Sequence, residues 1–192
     1  MIIETSDPAS ATGTAAEMYA EDLADFGVVF THTRALAVNP EAHDAFAALV
    51  QTIVPSIGVR AYELATLAAA RGLASAHCLL AHGRKVLDAE LMDEEQLARL
   101  GVDYRDAGLT DAEVALMAYA EKLSTDARSM TDADSRTLRD HGYTDRQIVD
   151  ITLAAAARNL LSRTLQALAV PVPAIPGIAP ATVDALLSPT RT

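Results

Sequence analysis

Residues 60–87, RAYELATLAAARGLASAHCLLAHGRKVL, constrain the fold more than any other part of the chain. Their apolar positions recur at helical spacing and are interrupted once, after Gly72. The stretch therefore reads as a helical hairpin, with one helix over residues 60–72 and a second from Ser75. The chain's only cysteine, Cys78, lies here, with His77 and His82. Glu63 also lies here, set among Leu64, Ala65, Leu67 and Ala68. A repeat of about 3.6 residues puts Ser75, Cys78 and His82 on one stripe of the second helix, with Leu79, Gly83 and Leu87 facing elsewhere. Antiparallel pairing sets Glu63 level with His82 to within roughly 3 Å, and Cys78 about one turn nearer the bend. Carboxylate, imidazole and thiol then follow one another in space, the layout of a proton relay serving a thiolate.

Each of these residues also has a plain structural reading. A lone cysteine in an Ala/Leu helix is commonly a small buried hydrophobe. In the first turn of a helix, however, unpaired N–H groups and the dipole favour the thiolate, and an imidazole one turn on adds to this. Glu63 could pair at the surface with Arg60 or Lys85. Its Leu/Ala neighbours predict instead a carboxyl whose charged form is disfavoured, with a raised pKa suited to proton exchange. His82, i+4 from Cys78, is the candidate base. His77 points about 100° away from Cys78 on an ideal wheel, which fits a subunit contact or surface position as well as a site. Ser75 is placed to cap the second helix, and also to donate a hydrogen bond to the thiolate or to a peroxide oxygen.

The spacing Glu63-x11-Ser75-x2-Cys78-x3-His82 resembles the alkylhydroperoxidase D and carboxymuconolactone decarboxylase superfamily. Thiol peroxidases of that superfamily carry Glu-x11-Cys-x2-Cys-x3-His, often with a histidine directly before the second cysteine, as His77 stands here. Ser75 occupies the first cysteine position. The surrounding LATLAAARGLASAHCLLAHG is similar to the peroxidase-related branch, where serine at that place is familiar. The motif covers about twenty residues, and helix order extends a weaker resemblance over most of the chain. The resemblance implies an all-α, AhpD-like helical bundle built around the hairpin. It implies catalytic roles for Cys78, His82, Glu63, Ser75 and His77, and a homo-oligomer (dimer, trimer or hexamer).

The rest of the chain agrees with a helical fold. Of 192 residues 51% are hydrophobic and only 4% aromatic, so the core must be built from Ala, Leu and Val in close-packed helices. This length fits one domain with a sizeable core. Capping boxes are predicted at Thr14 to Glu17, Thr110 to Glu113 and Thr144 to Gln147, and Thr131 to Asp134 opens a further helix closed by His141 and Gly142. Asn39-Pro40-Glu41 starts a helix running to Val54, and Pro55-Ser-Ile-Gly58 breaks it. A short helix follows Thr31, another spans residues 93–100, and 101–109 is a loop. TLAAAARNLL (residues 152–161) echoes TLAAARGL (residues 66–73), but with Val149 in place of Glu63 and no cysteine it reads as carrying no chemistry. Residues 1–169 form the helical domain. Residues 170–192 hold five of the eight prolines and form an extended arm with a short turn near its end, apolar enough to want a surface to lie on.

A formal charge of −11 and a pI near 4.7 argue against nucleic acid or an anionic membrane as partner. No apolar run reaches about 18 residues and the N-terminus has no basic n-region, so neither a membrane span nor a signal peptide is expected. One cysteine forms no internal disulfide, and a cytoplasmic setting follows. His32, His43 and His141 lack ligand spacing, so no metal is expected, and no Gly-rich phosphate loop is present, so no cofactor is expected.

The leading expectation is a thiol-dependent hydroperoxide reductase. Cys78 attacks a small-molecule peroxide, His82 and Glu63 relay the proton, and an external thiol reduces the sulfenic acid because Ser75 replaces a resolving cysteine. A carboxymuconolactone-type decarboxylase needs the acid–base pair but not the sulfur. A non-catalytic oligomeric redox sensor needs only a thiol that oxidises.

Overall fold

The computed structural model of the chain describes residues 1–191, and among these residues it contains nine α-helices and no strand. Helices α1 (Gly13–Phe26) and α2 (Thr31–Leu36) lead into the long α3 (Pro40–Gly72), and α4 (Ala76–Asp88) returns along its second half. There follow α5 (Glu94–Val102), α6 (Asp111–Asp126), α7 (Asp132–Asp140), α8 (Asp145–Ala167) and α9 (Pro180–Leu186). The second half of α3 is the axis of the bundle and packs against α4, α6 and α8. Leu64, Ala65, Leu67, Ala68, Ala69 and Ala70 of α3 are fully buried against Leu116, Met117 and Ala120 of α6 and Ile151, Ala154 and Ala155 of α8. Small side chains at these positions let the three backbones approach closely. The apolar area removed from water is the main stabilising term, about 25 cal/mol per Å².

Helix ends follow the capping chemistry at most of the expected places. Asn39 accepts the Ala42 N–H at 3.1 Å with Pro40 in the first turn, and capping boxes form at Thr110, Thr131 and Thr144. The box expected at Thr14 does not form. Helix α1 begins at Gly13 with Thr12 as its N-cap, so Thr14 already lies inside the first turn, where it caps nothing. The break expected over residues 55–58 is confined to Gly58. The helix runs through Pro55, and Gly58 alone leaves it at φ 80°, ψ 157°, a region essentially reserved for glycine. The hairpin turn is built by Ala74 at φ 49° and by the Ser75 N–H bonding back to the Ala70 carbonyl at 2.9 Å.

The chain's end does not stand away from the body. Residues 170–179 are non-helical, with a turn at residues 176–178, and α9 then lies on α5 and α4 of the same chain. Leu186 is fully buried. The contact is so close that a Cβ on Gly101 would sit 2.7 Å from the backbone of Ala185 and Leu186. Arg71, at the end of α3, donates to the Gly101 and Val102 carbonyls at 2.7 and 3.0 Å and so satisfies the last turn of α5.

An 18-residue window of α3 is long and apolar enough to cross a membrane, at a mean hydropathy of 1.3, and only 11% of that window is buried. In this fold Gly58 interrupts the helix midway, and its second half is the core of the bundle.

Candidate active site

The hairpin brings Glu63 and His82 together as the spacing predicts: Glu63 Oε2 lies 2.6 Å from His82 Nδ1. Thr66 Oγ1 stands 3.4 Å from the same nitrogen, and its own hydrogen is directed to the Tyr62 and Glu63 carbonyls. Both neighbours of Nδ1 are therefore acceptors. The neutral ring carries its proton on Nδ1 and leaves the Nε2 lone pair free. Full burial pushes the His82 imidazolium down to about 4, and the Arg158 guanidinium adds to the shift while Glu63 opposes it.

Glu63 departs from expectation. Its burial among Leu and Ala does push it up, but His82, Lys85 and Arg158 outweigh that, and the carboxyl lies below its ordinary range. The pair therefore holds an ionised carboxylate and a neutral imidazole near neutral pH. Near neutral pH the carboxylate therefore accepts from the Nδ1–H and carries no proton of its own.

Cys78 is buried at the start of α4, and its sulfur faces α8. Ser162 Oγ donates to Sγ at 3.2 Å, and Arg158 Nη1 lies 3.7 Å away. Arg158 Nη2 donates to the Tyr62 hydroxyl at 3.5 Å, and Arg158 Nε is buried without an acceptor among the described residues. Of the expected order of carboxylate, imidazole and thiol, the first pair is joined by a hydrogen bond. His82 turns to Glu63 on α3, whereas the hydrogen-bond partners of the sulfur come from α8.

Residues 152–161, read from the sequence as carrying no chemistry, thus supply Arg158 beside the sulfur, and Ser162 follows directly after them. The signal was present in the sequence. Among the buried positions of α8, Ile148, Ile151, Ala154, Ala155, Arg158, Ser162 and Leu165 form one helical stripe with an arginine and a serine in it, while Asp150 and Ala157 are buried beside it. Charged residues are almost never fully buried unless paired, so an arginine on an apolar stripe marks a partner.

Cys78, Glu63, His82 and His77 line one cavity of about 500 Å³, together with Tyr62 and Arg158. Phe46, Val50 and Val54 from α3 and Leu161 and Leu165 from α8 give it an apolar side, and Lys85 also lines it. His77 points elsewhere than the sulfur's partners: its Nε2–H donates to the Pro171 carbonyl at 2.9 Å, and its ring lies edge-on to His32. Burial lowers its pKa. Ser75 is buried at the N-cap of α4, makes no side-chain cap bond and does not line the cavity. No group of three His, Cys, Asp or Glu side chains among the described residues is placed to hold a metal ion.

The buried imidazoles make stability depend on pH. His82 and His32 are both pushed down to about 4, chiefly by burial. Between about pH 6.5 and 4 the unfolded chain takes up these protons and the native state does not, so stability is fully present above 6.5 and is lost as pH falls. His82 alone can account for up to about 3 kcal/mol of that loss. The thermal midpoint should fall steeply from pH 7 to 4.5, and His82→Gln should flatten the curve. A midpoint independent of pH over this range would contradict the buried neutral ring.

No known protein family matches the sequence, and no curated protein does. Solved structures do match. An uncharacterized peroxidase-related protein from Ralstonia eutropha JMP134, described as an alkylhydroperoxidase AhpD core, superposes with a TM-score of 0.76 at 20% identity, over 98% of this chain and 96% of that one. An uncharacterized peroxidase-related protein from Silicibacter sp. TM1040 gives 0.76 at 24% identity, over 88% of each chain. A cysteine-to-alanine variant of the debrominase Bmp8, in complex with 2,3,4-tribromopyrrole, gives 0.73 at 15% identity, over 97% of this chain and 96% of that one. The chain has the AhpD-like fold.

Proposed function

We propose that this AhpD-like chain is a cysteine-based oxidoreductase that reduces an organic hydroperoxide, with Cys78 as the attacking sulfur. The observation that carries the reading is the setting of Sγ: a buried sulfur between the Ser162 hydroxyl and the Arg158 guanidinium, on the wall of a cavity with an apolar side. The guanidinium and hydroxyl favour the thiolate, the nucleophilic form. His82, one turn further along α4 and oriented by Glu63, accepts the thiol proton at Nε2. The thiolate attacks the terminal peroxide oxygen. An S–O bond forms, the O–O bond breaks, and an alcohol leaves once its oxygen is protonated. An external thiol then condenses with the sulfenic acid, releasing water, and a second external thiol frees Cys78 as the sulfur-bound partner departs as a disulfide.

The cavity's volume and apolar wall support a substrate with a sizeable organic body, since drug-sized ligands occupy cavities of roughly 300–1,000 Å³. The same feature, with the debrominase among the structural neighbours, favours a second reading in which this sulfur removes bromine from an aromatic ring.

Both readings are separated by one experiment. The reduced protein is mixed with one equivalent of tert-butyl hydroperoxide, and in parallel with 2,3,4-tribromopyrrole and a thiol. Mass spectrometry should find one added oxygen on Cys78, and a panel of thiols should sustain peroxide consumption. Bromide release with no peroxide consumption would select the second reading. An unmodified Cys78 in both arms would sink both.

A further inference from the structure

We propose that Tyr62 is the proton donor to the oxygen that leaves when Cys78 attacks a hydroperoxide, and that Tyr62 and Arg158 together form the seat of that oxygen. This rests on the hydroperoxide reading of the site.

Tyr62 is buried, lines the cavity with Cys78 and lies on α3 one residue before Glu63. Its oxygen accepts from Arg158 Nη2 at 3.5 Å, and an arginine only donates. The hydroxyl hydrogen therefore remains to be given, and it has no acceptor among the described residues. The Arg158 Nε–H is likewise buried without an acceptor. A buried donor without a partner costs about 1–3 kcal/mol, so two of them beside one nucleophile mark the place of a missing acceptor. The guanidinium already reaches Sγ at 3.7 Å through Nη1, so the seat lies next to the sulfur. Burial raises the Tyr62 phenol and keeps it protonated at neutral pH, although Arg158 moderates the shift.

The reaction leaves a need that this pair meets. As the S–O bond forms and the O–O bond breaks, the departing alkoxide is far more basic than a phenoxide. It takes the Tyr62 proton and leaves as the alcohol. Arg158 holds the resulting phenoxide, and the imidazolium of His82, which carries the proton removed from Cys78, returns a proton to it. The rings of Tyr62 and His82 meet edge-on at 6.4 Å between centroids. Protons and charge then balance over the step without help from bulk water. The substrates that gain most are alkyl hydroperoxides, whose leaving groups are strongly basic. Peroxy acids, which leave as stable carboxylates, need no donor.

The test compares wild type with Tyr62→Phe, which keeps the ring against His82. Three reagents are used: tert-butyl hydroperoxide, peracetic acid and iodoacetamide. With the alkyl hydroperoxide the variant should lose about 100-fold in the rate of Cys78 oxidation, the usual scale of a general acid. With peracetic acid and with iodoacetamide, whose leaving groups need no proton, the loss should stay within about threefold. Equal losses with all three reagents would assign Tyr62 a merely structural role and overturn the proposal, as would no loss with any. If wild-type Cys78 reacts with iodoacetamide but with neither peroxide, the hydroperoxide reading itself fails. Arg158→Lys supplies a further check. It keeps a positive charge near Sγ but cannot bridge sulfur and phenol, so it should depress the alkyl hydroperoxide rate more than the iodoacetamide rate. An equal effect on both would count against a shared seat.

Discussion

Arg158→Met is expected to slow the oxidation of Cys78 by an alkyl hydroperoxide by roughly two to three orders of magnitude, while leaving the protein as stable as the wild type or more so. The two effects have one cause. A guanidinium 3.7 Å from the sulfur stabilises the anion that attacks and donates to the oxygen that leaves, and a single preorganised donor of this kind is commonly worth about 3–4 kcal/mol. The same group is only 5% exposed and faces a sulfur and a phenol, with no carboxylate in hydrogen-bond contact among the described residues. Its desolvation is thus poorly compensated in the resting protein, and methionine fills a similar volume without a charge. Stopped-flow oxidation and a thermal melt read the two halves. A third readout is His82, whose titration Arg158 depresses; in the variant it should move up toward its ordinary value. A variant that oxidises as fast as wild type would remove Arg158 from the reaction.

Glu63→Gln is expected to cost on the order of 10²–10⁴-fold in the same oxidation step, with little change in the iodoacetamide rate measured in strongly alkaline buffer. The carboxylate holds the His82 proton on Nδ1 at 2.6 Å and so leaves Nε2 as the base. An amide can turn its NH2 toward Nδ1, which moves the proton to Nε2 and removes the base without removing the ring. The pH profile carries the sign. Glu63 raises the His82 pKa, so its loss should shift the acid limb to lower pH as well as lower the plateau. Glu63→Asp, which keeps the charge on a shorter arm, should recover part of the loss. If Glu63→Gln leaves both plateau and limb in place, Arg158 and Ser162 alone activate the sulfur and the relay has no role.

The hairpin was legible in the sequence because it depends on two short-range rules, helical repeat and antiparallel return. These suffice to set Glu63 beside His82. The capping boxes at Thr110 and Thr144 were legible for the same reason: each is a bond between residues three apart. What failed needed tertiary contact. The ionisation of Glu63 could not be judged from Leu and Ala neighbours, since the deciding charges are His82, Lys85 and Arg158. The partners of Cys78 lie on a helix whose register against α4 is set by packing, although the polar residues on its apolar stripe gave notice of them. The resting place of α9 on α5 depends on Gly101, whose missing side chain admits the backbone of Ala185, and nothing local marks a glycine for that role.

The sulfur's partners stand 80 and 84 residues downstream of Cys78, and the carbonyl that holds His77 stands 94 residues downstream of that histidine. During synthesis on the ribosome Cys78 leaves the exit tunnel long before the cation and hydroxyl that contact its sulfur. The nascent hairpin can form, because its own contacts are local, but it presents only an ordinary thiol. On the proposed reading, the nucleophile's setting is complete only once α8 has docked. A peptide ending before Arg158 would then carry the motif without the groups proposed to activate its sulfur.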